Sequence, residues 1–179
     1  MKFRQAPLEG VVVVDLDRRE DERGFFARSF CEDEFSAQGL ASRFVQCNVS
    51  FNRLKGTLRG MHYQKSPHEE DKLVRCTMGA VYDVVVDIRL HSPTYLKWFA
   101  TELSAENRTA LFVPRGFAHG FQTLTDNSEV LYQMSVFFDP ESACGIRWDD
   151  PVIAIDWPSS EVVISEKDRA FPLLLRVGS

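Results

Sequence analysis

Hydrophobic and polar residues follow a strand-like rhythm along most of this chain. The runs VVVVDLD (Val11 to Asp17), FVQCNVSF (Phe44 to Phe51), KLVRCTM (Lys72 to Met78), AVYDVVVDIR (Ala80 to Arg89) and WFATELS (Trp98 to Ser104) are rich in β-branched and aromatic residues and predict strands. TALFVP (Thr109 to Pro114), GFQTL (Gly120 to Leu124) and EVLYQMSVFF (Glu129 to Phe138) continue the series, and LRGMHYQ (Leu58 to Gln64) alternates as a half-buried strand does. Turn-forming SPTY, AENR, PRG and TDNS separate them. Helical signals are confined to EDEFSAQG (Glu32 to Gly39) and SEKDRAF (Ser165 to Phe171), the second opened by a capping-type serine. Many short, closely spaced strands predict a mainly β fold, a sandwich or jelly roll, with a few short helices at its periphery.

Strand parity assigns residues to walls. Gln46, Asn48 and Ser50 share one face, while Val45, Cys47, Val49 and Phe51 share the other. If the polar face looks inward, it lines a ligand cavity rather than a dry core. Arg59 and His62 have opposite parity, so both reach that cavity only if Gly60 introduces a bulge or kink between them.

Composition narrows the classes. No linker or low-complexity tract divides the 179 residues, which read as one domain, 1–179, and 44% hydrophobic content with 14 Phe can fill its core. The four cysteines (31, 47, 76 and 144) form no CxxC pair, and residues 1–5 lack the apolar core of a signal peptide, so a reducing cytoplasm is expected. No run of about 18 apolar residues offers a membrane span. A net charge of −5 argues against nucleic acid as a partner, yet Arg23, Arg59 and Lys72 fall within the motifs, as a site for a phosphorylated small molecule would require.

Each candidate side chain also has an ordinary structural reading. His62 and His119 could be hydrogen-bonded structural groups, the latter in a turn; Tyr132 shares a face with Val130 and Met134 and could be core; Arg23 could be a solvated loop charge. Lys72 shares its face with Val74 and Cys76, where a lysine either snorkels to an edge or neutralises an anion. PRGFAH (Pro114 to His119) looks like the second cupin motif, PxGxxH, but the HxH pair of metal-binding cupins is broken at His62-Tyr63-Gln64, so no metal is expected. No GxSxG elbow, Walker loop or GxGxxG is present. Acid/base chemistry without a cofactor, acting on an anionic substrate, is what remains.

The ordered set ERGFF, QCNVS, LRGMHYQ, KLVRC, YDVVVDIR, SPTY, VPRGFAHGFQTL, EVLYQMS, GIRWDDP, IDWP and SEKD resembles the dTDP-4-dehydrorhamnose 3,5-epimerase family over nearly the full length. The resemblance implies a cupin-like jelly roll that epimerises C3 and C5 of a 4-keto-6-deoxy nucleotide sugar, as a homodimer and with no metal or organic cofactor. It implies that His62 is the general base oriented by Asp168, that Tyr132 is the acid on the opposite side of the sugar, and that Lys72 stabilises the enolate. Arg23 and Arg59 would grip the diphosphate, with Phe26, Gln46, Asn48 and His119 in the substrate set. Phe138 stands where many members carry a base-stacking tyrosine, and Arg28 and Ala143 each replace a common glutamate. These departures leave CDP- or GDP-linked sugars as alternatives, and inversion at C3 alone is another, because a member that inverts only C3 would have nearly the same residues. A metal-dependent cupin using His62 and His119 and a noncatalytic sugar-nucleotide binding module are the rivals from other classes.

Overall fold

Valine runs such as Val11 to Val14 become strands because both of their faces find apolar neighbours. In the computed structural model, which describes residues 1–174, strands β1 (Lys2–Gln5), β2 (Val12–Asp15), β3 (Arg19–Asp21) and β4 (Gly24–Phe26) precede helix α1 (Glu32–Ala37). Then come β5 (Gln46–Asn52), β6 (Leu58–Gln64), β7 (Lys72–Met78), β8 (Ala80–Asp87), β9 (Trp98–Ser104), β10 (Ala110–Val113), β11 (Phe117–Thr123), β12 (Ser128–Met134), β13 (Ala143–Gly145) and helix α2 (Glu166–Arg169). The order β1-β2-β10-β7-β12-β5 makes a six-stranded sheet, β13-β6-β11-β8-β9 a five-stranded one, and β3 and β4 a separate hairpin. From β5 to β12 successive strands pass from one sheet to the other, except between β8 and β9, which is the jelly roll that the pattern predicts.

The strand runs lack clean alternation because the central parts of both sheets are covered on two sides. Between the sheets, Val11, Val13, Val74, Cys76, Val81, Val85, Leu111, Phe121 and Val130 form the main core. Behind the six-stranded sheet, Val12, Val14, Leu73 and Phe112 pack beneath Phe35 of α1, whose ring meets those of Phe3, Phe30, Phe44 and Phe112 at centroid distances of 5.0–6.4 Å. Behind the five-stranded sheet, Met61, Val84, Val86 and Ala118 are covered by Ile146, Ile153 and Trp157 of the C-terminal segment. None of the helices among the described residues is long and apolar enough to cross a membrane.

The pattern did not foretell β1, the β3–β4 hairpin or β13, which are short and carry little apolar signal. His119 lies inside β11, two residues past its start, rather than in the preceding turn. The irregularity at Gly60 is present. Opposite β11 the register jumps between the His119–His62 and Phe121–Arg59 pairs, and the Gly60–Met61 peptide is cis. Gly60 sits at φ +129°, and a Cβ there would lie 2.6 Å from the Gly120 Cα, so these two backbones pass closer than any side chain permits.

At the end of β8, the fully buried Asp87 carboxylate holds the following loop. It accepts from Arg89 (Nε 2.9 Å, Nη2 2.7 Å), Ser92 (2.5 Å) and Thr94 (2.6 Å). Burial alone would raise its pKa, but the Arg89 guanidinium and the two hydroxyls hold it well below the ordinary carboxylate range. Its folded value is depressed, so its contribution is present above the unfolded value of about 3.9 and is lost as pH falls through the folded value. Asp87→Asn is expected to lower stability by roughly 2 to 3 kcal/mol at neutral pH, with a smaller difference from the parent in acid. Urea unfolding at pH 7 and pH 3 measures both; an equal loss at the two pH values would contradict it.

Candidate active site

A cavity of about 380 Å³ opens between the two sheets. The five-stranded sheet presents Arg59 and His62 from β6 and His119 and Phe121 from β11; the six-stranded sheet presents Asn48 and Ser50 from β5, Lys72 from β7, and Tyr132 and Met134 from β12. Phe138, Ala143 and Cys144 stand at the same cavity, and Lys167 and Phe171 approach from α2 and the residues after it. The volume lies within the range of small-molecule sites. His62 and Tyr132 project from facing sheets, so a ligand ring lying between the sheets has one on each side.

The histidine on β6 is held by the short C-terminal helix. Asp168 Oδ1 lies 2.9 Å from His62 Nε2, and Asp168 Oδ2 accepts the Gly60 N–H at 3.2 Å. Ser165 caps α2 by accepting the Asp168 N–H at 3.1 Å, which fixes where that carboxylate points. Burial alone would raise the Asp168 pKa, but the His62 ring and the Gly60 and Ser165 hydrogen bonds hold it below the ordinary carboxylate range. An ionised Asp168 takes a proton donated by Nε2. In that tautomer the lone pair of the ring lies on Nδ1, the nitrogen not bonded to Asp168.

A second imidazole–carboxylate pair lies deeper. His119 Nε2 is 2.9 and 3.0 Å from the two oxygens of Asp83, both residues are nearly sealed from solvent, and the His119 ring meets Tyr132 edge-on at 6.0 Å. Tyr132 packs against the main core and also lines the cavity. Burial first, then the Asp83 carboxylate, push its phenol far above the ordinary tyrosine value, against the opposing Arg59 cation and Ser50 hydroxyl. Lys72, 9% exposed, is neither snorkelling to an edge nor unpaired: Nζ sits 3.0 Å from Glu70, whose other oxygen accepts from Gln64 at 2.9 Å. An ammonium carries three donors, so this pair leaves the charge able to meet a ligand oxygen as well.

Arg59 is aimed by Asn52, which accepts its Nε–H at 2.7 Å. Gln46 stands behind the cavity rim, where its oxygen accepts the Phe138 N–H at 3.1 Å and its amide nitrogen faces Asn48 at 3.4 Å. Arg23 and Phe26 lie outside the cavity of their own chain. They sit on the β3–β4 hairpin with 84% of the Arg23 side chain and 74% of Phe26 exposed, and Arg23 pairs with Asp21 at 2.5 Å. Arg28 likewise lies away from it, bonded to Glu34 at 2.8 Å. Among the described residues no cluster of three or more His, Cys, Asp or Glu has the arrangement of a metal site.

Asp83, Glu70, Lys167 and Phe171 escaped the sequence reading. Asp83 left a signal, since it shares the parity of the buried Val81 and Val85, and a carboxylate there demands a polar partner. Glu70 and Phe171 lie in irregular segments with no such pattern.

The family model described as dTDP-4-dehydrorhamnose 3,5-epimerase matches residues 5–175. The chain is 45% identical over 176 residues to the dTDP-4-dehydrorhamnose 3,5-epimerase of Escherichia coli K12, covering 97% of this chain and 95% of that one. Its structure is similar to that of the Bacillus anthracis dTDP-4-dehydrorhamnose 3,5-epimerase with TDP and PPi bound, at TM-score 0.94 and 39% identity over 97% of this chain and 99% of that one. A dTDP-6-deoxy-D-glucose-3,5-epimerase from Legionella pneumophila, in complex with dTDP-4-keto-L-rhamnose, is similar at TM-score 0.91 and 40% identity over 96% and 92% of the two chains. With its facing imidazole and phenol, its buried lysine and a match over nearly its whole length, the chain belongs to the dTDP-4-dehydrorhamnose 3,5-epimerase family.

Proposed function

We propose that residues 1–179 act as one epimerase domain that inverts C3 and C5 of a 4-keto-6-deoxy nucleotide sugar, converting dTDP-4-dehydro-6-deoxy-D-glucose to dTDP-4-dehydro-L-rhamnose. The observation that carries the reading is the placement of His62 and Tyr132 on opposing sheets of one cavity. Hydrogens beside the C4 ketone become acidic once the developing enolate is stabilised, so the reaction needs a base, a cation and an acid and no redox or metal chemistry. His62 Nδ1 removes the hydrogen from one face, Lys72 meets the oxyanion at C4, and Tyr132 delivers a proton to the opposite face. The His62 proton and the phenolate are then reset by exchange with solvent before the second carbon is treated in the same way. Asp168 stabilises the imidazolium as it forms. Such a base contributes roughly 10²- to 10⁴-fold and a preorganised charge at the oxyanion about 3 to 4 kcal/mol.

Arg59 and Asn48 line the route to the diphosphate and sugar, His119 offers Nδ1 to a sugar oxygen, and exposed Phe138, held by Gln46, offers a face on which a nucleobase stacks. Arg23 and Phe26 reach a substrate only across a dimer, each hairpin serving its partner's cavity. An uncovered apolar face supports that assembly: Val49, Phe51 and Met78, 46–60% exposed, lie on the outer side of the six-stranded sheet at its β5 end, away from the part that α1 covers. The four free thiols and the acidic net charge fit a cytoplasmic enzyme with neither nucleic acid nor membrane as partner.

In deuterated water the parent protein is expected to place label at both C3 and C5 of the product. His62→Ala should lose turnover by at least about 10²-fold while binding dTDP as the parent does. Label at C3 alone would reject double epimerisation, and an active His62→Ala would remove the base. Dimer exchange is read by complementation: Arg23→Ala and His62→Ala chains, each weak alone, should regain activity when co-expressed, because one site of each mixed dimer is whole. No gain over the separate variants would place Arg23 outside the partner's site.

A further inference from the structure

Among the described residues, Ser50 Oγ is the one buried side-chain oxygen or nitrogen without a hydrogen bond of regular geometry, although it stands close enough to the Tyr132 phenol to act on it. It lies in the wall of the substrate cavity, on β5, where Ser50 pairs across the strands with Val130 and Asn48 with Tyr132. Ser50 and Tyr132 are thus diagonal neighbours on one face of the six-stranded sheet, a separation that an aromatic side chain spans. The oxygen is sealed from solvent, although Ser50 and Tyr132 both line the cavity. Buried polar groups left without partners are rare, and one placed beside a proton donor needs a reason.

We infer that Ser50 is a positioning residue for the phenol of Tyr132, accepting the phenolic hydrogen before proton delivery and turning its own hydrogen to the phenolate afterwards. A hydroxyl is suited to this because it rotates and is both donor and acceptor, so one group serves the two charge states. Without it the phenolate would form beside apolar residues of the core, with the Asp83 carboxylate opposing it and the Arg59 cation in its favour. Two neighbouring polar residues are committed elsewhere: Asn52 to Arg59 and Asp83 to His119. The inference rests on the reading of Tyr132 as the acid.

The test compares two rates for the 4-keto-6-deoxy sugar in deuterated water: loss of the C3 and C5 hydrogens, which reports the base, and formation of inverted product, which reports the acid. Ser50→Ala is expected to leave hydrogen loss within about threefold of the parent and to slow inversion about tenfold, the loss that one hydrogen bond to a charged group produces. Ser50→Thr, which keeps the hydroxyl, should restore the parental ratio. Equal slowing of both rates, an unchanged ratio in Ser50→Ala, or a Ser50→Thr no better than alanine would overturn the inference. Tyr132→Phe, run alongside, separates the two layers: normal inversion there rejects Tyr132 as the acid, whereas defective inversion there with a normal Ser50→Ala rejects Ser50 alone.

Discussion

The cavity depends on one close approach. Gly60 on β6 and Gly120 on β11 pass so near that a Cβ on either would overlap the other strand: 2.6 Å to the Gly120 Cα in one direction, 2.8 Å to the Arg59 carbonyl in the other. The register shift at this contact lets Arg59 and His62, which strict alternation would set on opposite faces, line the same space. The same region is where Asp168 reaches β6, bonding both the Gly60 N–H and the His62 ring. Geometry of the strand and orientation of the His62 ring thus share one partner.

Around that contact the fold places charge where most sandwiches are dry. His62–Asp168, His119–Asp83 and Lys72–Glu70 stand in the cavity walls, each satisfied by a partner at 2.9–3.0 Å. Polar and charged pairs taken out of water contribute little net stability, because desolvation offsets most of their attraction. The apolar layers supply the stability instead: the core between the sheets, the phenylalanine cluster under α1 and the C-terminal segment behind the five-stranded sheet. Two-sided cover holds the strands rigid enough for functional groups on facing walls to keep their separation.

Much of this arrangement was legible in the residues. The Val11 to Val14 run, the polar face of Gln46, Asn48 and Ser50, and the need for a break at Gly60 all follow from the period of a strand, and each has its counterpart in the fold. Gln46 is the exception on its face, because the strand end carries it past the cavity to the Phe138 backbone. Pattern is blind to what three dimensions bring together. Asp168 lies 106 residues from His62 in the chain, and only the packing of the four-residue α2 on β6 joins them. The β3–β4 hairpin, three residues a strand and exposed throughout, gives no apolar period to read, and Arg23 on it pairs with Asp21 away from the cavity.

The central claim is that base and acid straddle one bound sugar ring. A crystal structure of the protein with a dTDP-linked 4-keto-6-deoxy sugar tests it most directly. The account predicts the pyranose between the sheets, His62 Nδ1 within hydrogen-bond reach of one face, the Tyr132 hydroxyl at the other and Lys72 at the C4 oxygen. A ring with both groups on the same side, or a sugar bound away from this cavity, would contradict it.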